Sequence, residues 1–403
     1  MCPKVYAAIP VLNETEYLSD LINDLIQQQD CSWEAVICIN QPDDWWHDPQ
    51  KKEICVRNQE SIEYLISLNL PQIHLINKSS PGNGWTGKNH GVGWARKTAM
   101  DKASSLADPG DLIVSMDADT RYSSWYFNRL IAASEKYPNA AGLSVPYYHP
   151  LTGDETTDRC VLRYEIYMRN YALNMLFINS PYAFSAIGSG MACKASVYRR
   201  MGGITPKMSG EDFYFMQKLR KSGNIVVNID GTIYPASRFS DRVYFGTGPA
   251  MIKGRRGDWN SYPIYHNQAF QLIKQTYDAF GGLFKENSAT PMDTFLEKVT
   301  HGDPVWEPLR SNASTKDSFI RACMQRVDAL RILQFLKETN TTFGDGNEHR
   351  LIYFLTKHFE TKDELKEIFS RLDFGQTPVS ELDSIRDFMA KEELVLQKKK
   401  GIV

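Results

Sequence analysis

One pattern constrains the fold of this chain more than any other feature. From the N-terminus to about residue 270, short apolar runs rich in β-branched residues alternate with longer stretches of helical apolar spacing. The run "KVYAAIPV" is unbroken enough to predict a strand buried on both faces. "EYLSDLINDLIQQ" follows, with Leu18, Leu21, Ile22, Leu25 and Ile26 on one helical face. The alternation continues through the strand-like "WEAVICIN", "QIHLIN", "GDLIVSMDAD" and "AAGLSVPYY" and the helix-like "GWARKTAMDKASSLA" and "SSWYFNRLIAASEKY". It predicts an α/β sandwich whose mostly parallel sheet is covered on both faces. Ligands bind such sheets beyond the carboxyl ends of the strands, so the residues just after each strand are the place to look for chemistry. Past residue 270 strand patterns vanish, and "DSFIRACMQRVDALRILQFLKE" and "DELKEIFSRLDFG" read as amphipathic helices. The expected division is a ligand-binding and catalytic domain over 1–270 and a helical accessory region over 271–403.

Composition narrows the class. Hydrophobic residues are 42% and charged residues 23% of the 403, an ordinary folded chain. A net charge of −2 gives no general attraction to nucleic acid. "MCPKVYAAIPVLNETE" does not read as a signal peptide, and no run of ~20 apolar residues suggests a membrane span. Seven scattered cysteines without a C-x-x-C pair suggest reduced thiols, hence a cytoplasmic chain. The basic "QKKK" near the end reads as a solvated tail, with peripheral attachment to an anionic inner membrane face as the alternative.

Four stretches carry candidate chemistry. In "LIVSMDADT", an apolar strand runs into Asp117 and Asp119. If the strand persists, residues two apart share a face. Two converging carboxylates would then need a cation between them, and Mg2+ or Mn2+ with phosphate oxygens suits such hard ligands. The competing reading is a turn in which Asp merely ends a strand. "SSPGNGWTGKNHGVGWARK" contains both a dinucleotide fingerprint and a Walker-like G-x-x-x-x-G-K. Asn89 stands where a metal-binding hydroxyl belongs, and Lys78–Pro81 separate the strand from the first glycine, so neither motif has its usual context. "SGEDFYFMQKLRKSG" reads as a helix ended by Gly223, with Asp212 either closing a capping box from Ser209 or serving as a general base. The field of the helix start should keep such a carboxylate ionised. "YPASRFSDRVYF" carries Arg238 and Arg242, either a surface pair or a diphosphate clamp. The stripe Val161, Tyr164, Tyr167, Met168, Tyr171 and Met175 reads as core, or as an aromatic wall for an acceptor.

Taken in order, these motifs resemble the family 2 glycosyltransferases of the GT-A fold. "IPVLNE" looks like the family's first strand and its Pro-x-x-Asn-Glu turn. "GVGWARKTA" is similar to its Gly-x-x-x-Ala-Arg segment, "DADT" to its D-x-D, and "GEDFYFMQKLRKSG" to its Gly-Glu-Asp helix. The resemblance spans about residues 4–250 and implies a three-layer α/β/α sandwich. It implies that Pro10, Asn13, Glu14 and Arg96 lie at the nucleotide, and that Asp117 and Asp119 hold the diphosphate through Mn2+ or Mg2+. It makes Asp212 the base, with Glu211 orienting the acceptor, and Arg242 a partner of the departing diphosphate. The family's processive Gln-x-x-Arg-Trp motif is absent. The expectation is an inverting, metal-dependent single transfer from a UDP-sugar to a hydroxyl on a glycan, lipid-linked or small-molecule acceptor, in cell-envelope glycan biosynthesis. A P-loop-like nucleotide hydrolase and a non-catalytic GT-A binding protein are the alternatives.

Overall fold

The first apolar run forms β1 (Val5–Val11), every residue of it buried. The computed structural model describes residues 2–241 and 246–403. After β1 come α1 (Thr15–Ile26), β2 (Trp33–Asn40), α2 (Lys52–Ser67), β3 (Ile73–Lys78), α3 (Val92–Leu106) and β4 (Leu112–Ser115). Then follow β5 (Thr120–Arg121), α4 (Tyr126–Lys136), β6 (Gly142–Ser144), α5 (Glu155–Phe177), β7 (Met191–Lys194) and α6 (Ala195–Arg200). The alternation closes with α7 (Glu211–Ser222), β8 (Ile225–Val226), β9 (Tyr234–Pro235) and α8 (Thr247–Arg255).

Seven strands form one sheet in the order β3-β2-β1-β4-β7-β6-β8. β1 pairs in parallel with β2 and β4, β2 with β3, and β6 with β8, while β7 runs antiparallel to β4 and β6. The sheet is therefore mixed but mostly parallel, with flanking helices, as the alternation predicts. Register places the strand ends at a common rim. β4 stops where Ser115 faces Ala8, and Met116 donates to the Ala8 carbonyl. In a parallel ladder, alternate residues bond to the same neighbour. Pro10 thus turns its missing N–H toward a strand that has already ended, where the loss costs little.

The chain forms two compact units. One comprises Met1–Val161, Phe184–Asp258 and Gln397–Ile402, and the other Leu162–Ala183, Trp259–Leu396 and Val403. The sheet belongs to the first. The second holds the later part of α5, helices α9 to α15 (Asn267–Leu283, Asp293–Val299, Glu307–Ser311, Lys316–Arg326, Ala329–Asn340, Asn347–His358, Asp363–Ser370) and most of α16 (Val379–Lys400). On α5, the stripe read from the sequence is only part of the buried surface. Tyr164 and Met175 are buried, but Leu162, Ile166 and Leu173 join a core cluster with Leu351, Phe354, Leu382, Ile385 and Met389.

The end of the chain differs from a solvated tail. Lys398 and Lys399 are exposed, yet they sit on α16. Gly401 then turns at φ +74, and its carbonyl accepts from Val227 and Asn228 at 3.1 and 3.3 Å, covering the edge of β8. Among the described residues, no helix is long and apolar enough to cross a membrane.

Candidate active site

The turns after β1, β4 and β9, the start of α7 and the Gly188–Gly190 segment meet at the rim of the sheet. Arg96, projecting from α3, is the hub. Its side chain is 3% exposed, and it donates to Asp117 Oδ1 at 2.8 Å, Glu211 Oε1 at 2.9 Å and Ser115 Oγ at 2.7 Å. The Gly188 carbonyl accepts from it at 3.2 Å. Burial of the guanidinium opposes its charge, but Asp117 and Glu211 more than compensate, and its pKa lies above the ordinary value. Gly188 is required by close approach: a Cβ there would stand 2.6 Å from Arg96 Nη2 and 3.1 Å from Asp117 Oδ2.

The acidic triplet after β4 does not continue the strand. β4 ends at Ser115, and residues 117–120 form a turn in which Thr120 donates to the Asp117 carbonyl at 3.3 Å. The alternation that would place both carboxylates on one face is therefore lost, and each acid meets its own arginine. Asp117 takes Arg96. Asp119 takes Arg238, whose Nε lies 3.0 Å from Oδ2. The same guanidinium donates through Nη2 to both oxygens of Glu14 at 2.7 Å and lies over the Tyr17 ring at 4.5 Å. Asp119 is pushed above the usual carboxylate range by burial, with Arg238 pulling the other way and the like charge of Asp117 adding to the rise.

The remaining residues of the β1 turn support this arrangement. Pro10 is buried in the strand. Asn13 adopts φ +56, a conformation asparagine tolerates, and its backbone N–H donates to Asn58 Oδ1 at 2.8 Å. Its own side-chain oxygen is buried without a hydrogen-bond partner.

At α7 the N-cap is Gly210, in the left-handed region at φ +75. Glu211 is buried against Arg96. Asp212 is half-buried and accepts from the Phe213 N–H at 2.7 Å. The helix start does not hold Asp212 in the ordinary ionised range. Burial, and then the neighbouring Glu211, push it up to about 7, against the pull of Arg96. A carboxyl tuned there is a better proton acceptor near neutral pH than an ordinary aspartate.

The glycine-rich stretch is neither a dinucleotide nor a Walker loop in context. Residues 79–91 separate β3 from α3. Gly82 and Gly84 give their N–H groups to Asp43 Oδ1 at 2.8 and 3.2 Å, so these amides are already satisfied within the chain. Trp85 donates its indole N–H to Asn40 Oδ1 at 3.1 Å, fixing the loop to the end of β2.

Arg242 lies outside the described residues. Arg238, which the sequence named beside it but did not single out, meets the site. Ser115 and the Gly188 carbonyl also belong to the cluster. Ser115 is visible in the strand but ordinary there, and a backbone carbonyl leaves no sequence signal.

Among the described residues no cluster of three or more His, Cys, Asp or Glu is spaced as a metal site. The donor chemistry nevertheless suits a hard divalent ion, since Glu14, Asp117 and Asp119 offer only carboxylate oxygens. The positive charge these acids require is supplied by Arg96 and Arg238.

Residues 112–266, covering both acidic motifs, match the model of glycosyl transferase family group 2. Over that segment the chain is similar to the family 2 glycosyltransferases. No curated protein matches it in sequence. Among solved structures it is similar to S. aureus TarS 1-349, at 11% identity and TM-score 0.39, over 98% of this chain and 89% of that one. TarS 1-349 with UDP-GlcNAc gives the same identity, coverage and score. The mannosyltransferase PcManGT from Pyrobaculum calidifontis, in complex with GDP-Man and Mn2+, is 13% identical with TM-score 0.40, over 98% of this chain and 88% of that one.

Proposed function

We propose that this chain is a glycosyltransferase that moves one sugar from a UDP-sugar to a hydroxyl acceptor with inversion at the anomeric carbon. The observation that carries the reading is the Arg96 hub. By donating to both Asp117 and Glu211, it joins the strand-end acid and the first acid of α7 into one hydrogen-bonded unit. Donor-side and acceptor-side chemistry then share a single rigid support. The chemistry is assigned to residues 1–270, with 271–403 as a helical accessory region.

In this reading Pro10, Asn13 and Glu14 border the nucleotide. Asp119 and Asp117 would hold Mn2+ or Mg2+, which supplies positive charge to the departing diphosphate. Arg242 shares that charge. Asp212 accepts the proton of the acceptor hydroxyl as its oxygen bonds to the anomeric carbon. The bond from that carbon to the diphosphate oxygen breaks on the opposite face, and the electron pair leaves with UDP. Glu211, held by Arg96, orients the acceptor.

The test is turnover of UDP-sugars with the configuration of the product read by NMR. A β-linked product from an α-linked donor, lost in Asp212→Asn, supports the reading. Retention, or full turnover by Asp212→Asn, would refute it. Product carrying several added sugars would refute the single transfer, and turnover undiminished by a chelator would refute the metal.

A further inference from the structure

Arg238 occupies an unusual position for a surface-loop arginine. It sits between two acids from different turns, Glu14 after β1 and Asp119 after β4, and reaches both at hydrogen-bond distance. The Glu14 side chain is 6% exposed, whereas the arginine covering it is 22% exposed. The backbone holds the arginine close: Ala236 donates to the Asp119 carbonyl at 3.1 Å, two residues before it. The side chain can still rotate away without breaking that bond.

We propose that Arg238 is a resting counter-cation of Asp119, held there also by Glu14, and that a divalent cation reaches Asp119 by displacing it. Asp119 Oδ2 accepts from Arg238 in the resting arrangement. A divalent ion at the same carboxylate would approach its oxygens to ~2.1 Å and be repelled by a guanidinium alongside. The two cations compete unless further anionic oxygens arrive. A nucleoside diphosphate brings such oxygens, so metal affinity should be weak alone and rise with the nucleotide, and by linkage each should tighten the other. The inference rests on the reading of the acidic turn as a cation and donor site.

The test measures Mn2+ binding to the full-length protein by the paramagnetic resonance signal of unbound Mn2+, with and without UDP. Arg238→Met should bind Mn2+ alone at least ~10-fold more tightly than the parent, about the effect of removing one close competing charge. UDP should then enhance binding less than it does in the parent. Arg238→Lys keeps a charge but loses the planar fork, and should show a smaller gain, roughly 3-fold. It decides the matter should Arg238→Met fail to fold. Equal Mn2+ affinity in the parent and the folded variants overturns the exchange while leaving a metal role intact. Failure of all of them to bind Mn2+ even with UDP overturns the exchange together with the metal reading.

Discussion

Two arginine–carboxylate clusters in this molecule use the same chemistry to different ends. In the helical unit, Arg169 donates to Glu165 at 2.6 Å and to Glu393 at 2.9 Å, and Arg386 lies 3.5 Å from Glu165. Every one of these side chains is at most 4% exposed. At the sheet rim, Arg96 is as deeply buried, but its partner Asp117 is 29% exposed, and the second pair, Arg238 and Asp119, is 22% and 20% exposed. The first cluster is buried at its centre, with Asp383 and Asp387 reaching solvent at the Arg386 end, and it holds α5 to α16. The second is closed below and open above, so its outer acids can meet something that comes from solvent. A buried pair is weak evidence for stability, because desolvation offsets attraction, but breaking one is costly. The contrast therefore predicts that damage to the buried cluster harms folding and damage to the open one harms activity.

The largest expected effect is on the open side. Asp212→Asn should lower kcat by about 10²–10⁴ without lowering the melting temperature, checked by turnover and calorimetry. Next is the buried cluster: Arg169→Met leaves Glu165 and Glu393 short of a partner and should cost about 3–5 kcal/mol of stability. Urea titration measures the loss, while kcat of the folded fraction should stay near the parent's. Adding Glu393→Met should recover part of it. If Arg169→Met instead abolished activity in a fully stable protein, the distinction between the clusters would fail.

Gly188→Ala comes third. The added methyl presses on Arg96 and Asp117 and should cost about 1–3 kcal/mol, with weaker donor binding in titration. The fourth effect follows from Asp212, raised to about 7. In the proposed role of base it must be ionised, so turnover should climb with pH through about 7 and level off above it, falling roughly 10-fold per unit well below that value. The fold, by contrast, favours the protonated form. That contribution to stability is full below the ordinary 3.8 and is lost as pH rises through about 7. Asp212→Asn should flatten both dependences.

The smallest effect belongs to the helical unit. His358 packs at a tilt against Phe177 and Phe354, its Nε2 without a hydrogen-bond partner, and burial holds its pKa below the ordinary 6.5. The unfolded chain binds the proton more readily, so stability present above 6.5 should fall as pH drops through the depressed folded value. His358→Phe should remove that slope, measured by urea midpoints between pH 5 and 8.

The sequence by itself determined the alternation of strands and helices in the first unit, the helices that follow it, and the stop of α7 at Gly223. These are local matters of apolar spacing and capping, decided within a few residues of one another. It also offered the acids that the structure brings to the rim, Asp117, Asp119, Glu211 and Asp212, because each stands at the end of a legible element. Only the tertiary structure decided their partners. That the acidic triplet turns, that Arg96 joins Asp117 to Glu211, and that Arg238 bridges Asp119 to Glu14 depend on loops far apart in sequence meeting at one rim. Asp212's shift toward neutrality has the same origin. Burial and a neighbouring charge are properties of the packed site, and they outweigh the local field of the helix start that the sequence alone makes visible.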